Sequence, residues 1–159
     1  MIDWLMSHEV VRETAADVLQ LFIAMVLGGA LGFERQLHGR WAGIRTHMMV
    51  SLGAAIFTLA ALSTAPDDSN EVTRVIQGIA AGIGFLGAGT IVTLRGEVEV
   101  KGLTTASSIW MTAAIGTVTG LGEYALAVAS CFMAVSVLAI LRPVTKAISK
   151  VTSLDESDV

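Results

Sequence analysis

Five apolar runs of about twenty residues each constrain this chain more than any other feature. They cover roughly residues 15–33, 47–65, 75–94, 103–121 and 124–141. Of Asp, Glu, Lys, Arg and His, they contain Asp17 and His47, each near an end of its run. A helix of about 20 such residues crosses the ~30 Å hydrocarbon core of a bilayer. The sequence therefore predicts an all-α, polytopic membrane protein with five transmembrane helices.

Composition supports this class and excludes others. Of the 159 residues, 53% are hydrophobic and 15% charged, which is too apolar for a soluble core of this size. The net charge is −4 and the basic residues are dispersed, so no nucleic-acid partner is expected. The single cysteine, Cys131, excludes an internal disulfide and a cysteine-based zinc site.

The number of spans decides the sidedness of the chain. Four spans is the main rival, because only Gly122 and Glu123 separate the last two runs. With five spans, eight of the ten basic residues fall on one side, so the positive-inside rule places the N-terminus outside and the C-terminus in the cytoplasm. We therefore expect an extracytoplasmic lead-in over 1–14, a transmembrane domain over 15–142 and a cytoplasmic tail over 143–159. Arg142 and Pro143 are expected to end the last helix.

An internal repeat with an offset of 59 residues is a further expectation. Gly43 to Leu59 aligns with Gly102 to Val118 with six identities in seventeen positions. The match predicts two parallel helix-pair repeats followed by a final helix. Coincidence in low-complexity membrane sequence is the alternative.

The first loop on the basic side, 34–47, is the most polar stretch of the core. It holds three Arg, one Glu and two His. In one interpretation the arginines only anchor helix ends at lipid phosphates. In the other, Glu34 pairs with an arginine such as Arg45 in a partly desolvated site that reads a partner or an anion.

A run of hydroxyls opens the fourth span, at positions 104, 105, 107 and 108. A threonine there caps free backbone N–H groups, or the hydroxyls face Arg95 and the first loop in a small polar pocket. The second interpretation predicts one polar cluster. Its members are Glu34, Arg35, Gln36, Arg40, Arg45, Thr46, His47, Arg95, Thr104 and Thr105.

Glycines spaced four apart mark several of the helices. The pairs are Gly28/Gly32, Gly78/Gly82 and Gly116/Gly120, a spacing that lets helix backbones approach closely. The third run adds Gly84, Gly87 and Gly89, and it either packs through these glycines or opens near 84–89 toward a cavity. Its match to a dinucleotide-binding fingerprint is false, because no strand precedes it.

The sequence shows few of the residue patterns that catalysis requires. The spans hold no paired carboxylates, no arrangement for nucleophilic catalysis is suggested, and the three histidines lack metal-ligand spacing. We therefore expect no catalytic residue, no metal, no cofactor and no enzymatic activity. Two functions stay open: a regulator of another membrane protein, or a small transporter or channel for a cation or small solute.

Several sequence blocks together are similar to a known family. Leu31-Gly-Phe-Glu-Arg-Gln, Ala42-Gly-Ile-Arg-Thr-His, Gly82-Ile-Gly-Phe-Leu-Gly-Ala-Gly-Thr and Lys101-Gly-Leu-Thr-Thr-Ala-Ser resemble signature blocks of the MgtC/SapB family of bacterial inner-membrane proteins. The resemblance covers about 15–142. It implies a five-helix, multi-pass domain of the inner membrane, with membrane lipid around it. One departure is Gly78, which stands where a glutamine is common, while Gln77 lies one place earlier.

The resemblance also implies a function. The family's best-known members support growth in low magnesium and virulence, and they look like modulators of other membrane proteins, including the F-type ATP synthase. Many members add a cytoplasmic C-terminal domain, whereas this sequence ends eighteen residues after its last run, so we expect a short form without that domain. The small-residue faces also favour a homodimer.

Overall fold

The computed structural model describes the backbone of residues 2–64, 69–93 and 100–155, and the side chains of 14–64, 70–91 and 101–143. Its elements are α1 (Ile2–Leu37), α2 (Ile44–Thr64), α3 (Ser69–Ala88), β1 (Val92–Thr93), β2 (Val100–Lys101), α4 (Leu103–Gly120) and α5 (Tyr124–Asp155). The two short strands pair antiparallel with each other. The prediction of an all-α membrane protein with five helices is confirmed, with this hairpin as a small addition.

Successive helices run in alternating directions. The contacts that show this are Gly32 with Ile44, His47 with Ser108, Gly87 with Ala106, and Leu27 with Cys131. They make α1 antiparallel to α2, α2 parallel to α4, α3 antiparallel to α4, and α1 parallel to α5. The short turns at 38–43 and 121–123 are consistent with this order, and Gly122 supplies the turn before α5 with a φ of 81°.

Alternation gathers most of the described basic side chains at one end of the bundle. Arg35, Arg40, Arg45, Lys101 and Arg142 lie at the end where α1 and α3 finish and α2 and α4 begin. We call this the basic end. Arg74 lies toward the opposite end, near the start of α3. The placement is the one that five alternating spans require, and the orientation in a membrane stays a prediction.

Helix α4 is the centre of the bundle and packs against the other four helices. The segments Thr14–Leu37, Ile44–Thr64, Asn70–Gly89 and Tyr124–Pro143 are each long and apolar enough to cross a membrane. Helix α4 is not among them, because seven of its 18 residues are Ser or Thr. Thr112 and Thr119 are buried and donate to carbonyls one turn back, at 2.8 Å each, so their hydroxyls need no partner outside the helix.

Glycines on two helices hold α2 from both sides. A Cβ added to Gly28 of α1 would lie 2.6 Å from the carbonyl oxygen of His47, and one added to Gly116 of α4 would overlap the carbonyl oxygen of Ser51. Gly32 and Gly120 make similarly close approaches one turn further along. Both G-x-x-x-G pairs therefore face α2, and the three backbones pack at a distance that only glycine permits.

Helix α3 is attached differently. It is continuous from Ser69 to Ala88, and Gly89 N still donates to the carbonyl of Phe85 at 3.0 Å, so the interpretation that this helix opens at 84–89 is wrong up to Ala88. A Cβ on Gly78, Gly82 or Gly84 would meet nothing within 4 Å. These three glycines therefore make no close contact within the described part of the chain, and a close approach of another helix to them stays a prediction.

Both terminal helices are longer than the runs that predicted them. Helix α1 begins at Ile2, so residues 2–14 of the predicted lead-in belong to the same helix as the first span. The prediction that Arg142 and Pro143 end the last helix is wrong, because α5 continues through Pro143 to Asp155. Proline removes one backbone donor but leaves the rest of the ladder intact, and membrane helices tolerate this loss.

The predicted repeat finds a partial counterpart in the structure. The two aligned helices, α2 and α4, lie side by side and parallel, and each begins directly after the aligned glycine, Gly43 or Gly102. The glycines themselves differ, since only Gly102 has a positive φ, 101°.

Candidate functional site

The last turns of α1 carry two charged side chains into the basic end. Glu34 is 7% exposed and Arg35 is 3% exposed. An Nη1 atom of Arg35 lies 3.7 Å from Oε2 of Glu34, and Nη2 donates to Oγ1 of Thr105 on α4 at 3.4 Å. Nδ1 of His38, one turn on, lies 2.8 Å from Oε1 of Glu34. Glu34, Arg35 and Thr105 therefore meet, as the predicted cluster requires.

His47 lies inside the bundle rather than in the loop. It is fully buried in the first turn of α2, where its Nδ1 is 2.9 Å from the carbonyl oxygen of Gly43. A carbonyl can only accept, so Nδ1 carries the proton in this pair. Nε2 then faces the Ser108 hydroxyl at 3.1 Å, and this hydroxyl also lies 2.8 Å from the carbonyl of Thr105. His47 thus ties the start of α2 to the start of α4.

Gln36 has a structural role at the start of α2. Its Oε1 accepts from the backbone N–H of Ile44 at 3.2 Å and lies close to Gly43. This bond satisfies one of the N–H groups that the first turn of a helix leaves without a partner. Helix α4 has no such bond, because its N-cap is Gly102, with no side-chain hydrogen bond. The interpretation that a threonine caps α4 is therefore wrong.

Two cavities divide the predicted cluster. The first, of about 230 Å³, is lined by Glu34, Arg35, His38, Arg40, Thr104, Val137, Leu138, Leu141 and Arg142. We call it the arginine cavity. The second, of about 250 Å³, is lined by Gln36, Arg40, Trp41, Gly43, Ile44, Arg45 and Thr46, and we call it the loop cavity. Arg40 is common to both, so the loop bridges two separate pockets.

The pairing of Glu34 with Arg45 is not observed. Arg45 is exposed and lines the loop cavity, whereas the ion pairs of Glu34 in the described chain are with Arg35 and His38. Arg45 is the second residue of α2, where the helix turns it away from the end of α1. Arg95 lies outside the described residues, so its place in the cluster stays a prediction.

Three members of the site were missed. His38 carries a signal, because it stands four residues after Glu34 on the same helix face. Ser108 belongs to the noted run of hydroxyls, but its contact with His47 spans 61 positions of sequence. Arg142 enters the arginine cavity from α5, and nothing local predicts that.

The predicted packing glycines differ in what surrounds them. Gly28 and Gly32 make close backbone contacts, and Gly87 makes an ordinary contact with Ala106 at 3.6 Å. Gly78, Gly82 and Gly84 face open space, and Gly89 follows the end of α3. Gly78 and Gly82 line an apolar groove of about 570 Å³ between α2 and α3, which we call the α2–α3 groove.

The described residues of the site offer ion pairing and hydrogen bonding. They contain no group of three or more His, Cys, Asp or Glu that could hold a metal ion. Cys131 of α5 is buried against α1, where its Sγ lies 3.5 Å from the carbonyl oxygen of Leu27. What the site presents is a set of arginine donors around a shielded carboxylate.

Comparison with known proteins gives consistent matches along most of the chain. The family model described as "MgtC family" matches residues 21–147. "Protein MgtC" of Salmonella paratyphi A is 38% identical over 141 residues, which cover 89% of this chain and 59% of the relative. "Protein SrpB" of Synechococcus elongatus is 43% identical over 123 residues, covering 71% of this chain and 68% of the relative.

A relative from Escherichia coli K12 carries the name "Putative magnesium transporter YhiD". It is 36% identical over 138 residues, covering 83% of this chain and 63% of the relative. The chain spans 55% to 59% of the length of the Salmonella relatives that it matches. No solved structure matches the chain.

Proposed function

Because the chain belongs to the MgtC family, we propose that it is a bacterial inner-membrane protein that modulates another membrane protein when magnesium is limiting. In this proposal it is not an enzyme. The observation that carries the proposal is the α2–α3 groove, which supplies an open, apolar surface within the span region. The basic end supplies a second, polar surface for contact with the same partner.

The α2–α3 groove fits one partner helix. Its described walls include Met49, Gly53 and Phe57 of α2 and Gly78, Gly82 and Leu86 of α3. Gly78 and Gly82 are four residues apart, and a Cβ added to either would have no neighbour within 4 Å, so a second backbone has room to approach. Glycine lowers helix stability by up to about 1 kcal/mol relative to alanine, and an intermolecular contact would offset that cost.

The loop of the basic end extends this surface into the aqueous phase. Trp41 is 68% exposed, and Arg40 and Arg45 are exposed beside it. Exposed tryptophan and arginine are the residues most enriched at protein interfaces. The resemblance to the family suggests the F-type ATP synthase as the partner.

A paired crosslinking experiment tests the groove. A photoreactive residue at position 82 lies in the groove, and one at position 132 on α5 replaces Phe132, which is 73% exposed and lies outside it. We expect membranes from magnesium-limited cells to give an adduct with an ATP synthase subunit from position 82 and none from position 132. Adducts with lipid alone, with a second copy of the chain alone, or equally from both positions would contradict the proposal.

A functional assay accompanies the crosslinking. Gly82→Leu fills the groove, so we expect it to abolish both the growth advantage in low magnesium and the effect on ATP-driven proton pumping in inverted vesicles. Phe132→Leu is the control and should keep both. Equal activity of the two variants, with equal amounts in the membrane, would count against the groove.

The polar contact has its own test. Glu34→Gln and Arg45→Ala should each lower growth in low magnesium while leaving the protein inserted and folded. Wild-type growth of both variants would remove the basic end from the mechanism and leave the groove as the only docking surface.

The second candidate is a small transporter or channel for a cation or small solute. The name of the Escherichia coli relative favours it. Purified protein in liposomes, loaded with a Mg²⁺ indicator and tested at several pH values and gradients, distinguishes the two. Flux that Gly82→Leu leaves unchanged would support transport, whereas no flux above that of empty liposomes supports the modulator.

A further inference from the structure

The arginine cavity is positively charged although the chain as a whole is acidic. Arg35, Arg40 and Arg142 line it, and Glu34 is the acidic residue among its described walls. The net charge of the chain is −4, so a general surplus of basic residues does not explain this concentration. Burial strengthens the field of the Arg35 charge, because the helices around it have a low dielectric constant, whereas Arg142 is half-buried and Arg40 is exposed.

Arg35 keeps hydrogen-bonding capacity inside this cavity. Its side chain is almost completely buried, yet its Nε has no hydrogen-bond partner among the described residues. Its contacts with Glu34 and Thr105, at 3.7 and 3.4 Å, are long for charge-assisted bonds, which are normally about 2.7–2.9 Å. A buried guanidinium with unused donors is costly unless a ligand completes its bonding.

The arginine cavity continues into an apolar groove. This second space, of about 340 Å³, runs between α4 and α5, and we call it the α4–α5 groove. Thr104, Val137 and Leu138 line both spaces, so the two are contiguous. The groove proceeds along Met111 and Met133, away from the basic end and toward the middle of the spans.

We propose that the arginine cavity and the α4–α5 groove together hold one anionic phospholipid. Its phosphate accepts from the arginines and from the hydroxyl of Thr104, and one acyl chain lies along Met111 and Met133. Arginine is suited to this because its planar fork of donors matches phosphate oxygens. The charged cavity lies at the end of the bundle and the apolar groove lies deeper. A phospholipid at a membrane surface has the same arrangement, with its headgroup outside and its acyl chains inside.

Native mass spectrometry of the full chain tests this. The protein is released from vesicles of phosphatidylcholine containing an equal amount of phosphatidylglycerol, and the ratio of the two retained lipids is measured. We expect phosphatidylglycerol to be preferred about tenfold, which corresponds to about 1.4 kcal/mol. No preference over phosphatidylcholine would overturn the proposal.

Three variants locate the binding. Arg142→Gln removes a donor from the cavity, and Val137→Trp fills the junction of cavity and groove from an exposed position. Each should reduce the lipid ratio at least about fivefold, or about 1 kcal/mol. Arg45→Gln, which changes an arginine of the loop cavity, should leave the ratio as it is. Equal reductions by Arg45→Gln and Arg142→Gln would mean general attraction to the basic end and would contradict the site.

A competition arm distinguishes a lipid from a free phosphate. Inorganic phosphate or glycerol 3-phosphate in excess should not displace phosphatidylglycerol, because neither fills the α4–α5 groove. Displacement by these ions, with retention unaffected by Val137→Trp, would assign the cavity to a soluble phosphate and overturn the proposal. Each variant is used only if it elutes as a single folded peak, and Arg142→Met, which also removes the charge and the donors, replaces Arg142→Gln if that one does not.

Discussion

The same glycine spacing occurs in two regions of this molecule and does different things. In the packed half, formed by α1, α2 and α4, Gly28 and Gly116 bring backbones so close that a single methyl group would collide with a carbonyl. On α3, Gly78 and Gly82 have the same spacing and no neighbour within 4 Å. The difference teaches that G-x-x-x-G marks a face fit for close approach, and that the tertiary structure decides whether the chain itself occupies it.

The largest expected effect comes from Gly116→Val in the packed half. The new side chain would overlap the backbone of Ser51, which cannot move without separating α2 from α4. We expect a loss of about 3 kcal/mol in the free energy of unfolding, measured by titration with dodecyl sulfate in detergent micelles. Gly82→Val is the matched control and should change the free energy of unfolding by less than about 1 kcal/mol, because its side chain meets open space and valine is a slightly better helix former than glycine. Similar losses for both would erase the distinction between the two regions.

Gly28→Ala is expected to have the next largest effect. Its Cβ would lie 2.6 Å from the carbonyl oxygen of His47 and 2.7 Å from Cβ of Ser51, so α1 and α2 must separate slightly. We expect a loss of about 2 kcal/mol by the same titration. Gly78→Ala, with open space around it, is the control, and an unfolding free energy equal to that of Gly28→Ala would show that the close approach is not needed.

A smaller effect on the free energy of unfolding is expected from breaking an ion pair, and its size should differ between the two regions. Glu34 is buried and contacts Arg35 and His38, whereas the pair of Glu71 and Arg74 on α3 is largely exposed. Glu34→Gln should cost about 1.5 kcal/mol because it leaves a buried guanidinium without its counter-charge. Glu71→Gln should cost well under about 1 kcal/mol, as exposed pairs do. The reverse order, in the same titration, would show that the basic end is open to water.

The smallest effect is expected from alanine substitutions on the unpacked face of α3. Gly78→Ala combined with Gly82→Ala adds two methyl groups to a face with nothing against it. We expect the melting temperature in detergent to stay the same or rise slightly, because alanine is the better helix former by about 1 kcal/mol at most. A clear fall in the melting temperature of the purified chain would mean that α3 is packed through these glycines after all.

Local sequence was enough for some of the site. His38 follows Glu34 by one helical turn, and Glu34 and Arg35 come from a single block, so a charged cluster at the end of α1 is predictable. The pairing of Glu34 with Arg45 was wrong because α2 starts at Ile44 and turns Arg45 outward. Arg142 was missed because its place depends on how α5 packs against α1 and α4, and on a helix that does not end at Pro143.

The sequence by itself determined that the chain is a five-helix membrane protein and which ends of the helices carry its basic residues. Both follow from local physics, because apolar run length is matched to bilayer thickness and charges are excluded from hydrocarbon. Only the tertiary structure decided which glycines are in contact, which arginines share a cavity and which grooves stay open. Those outcomes depend on contacts such as that between His47 and Ser108, 61 positions apart, which no local pattern specifies.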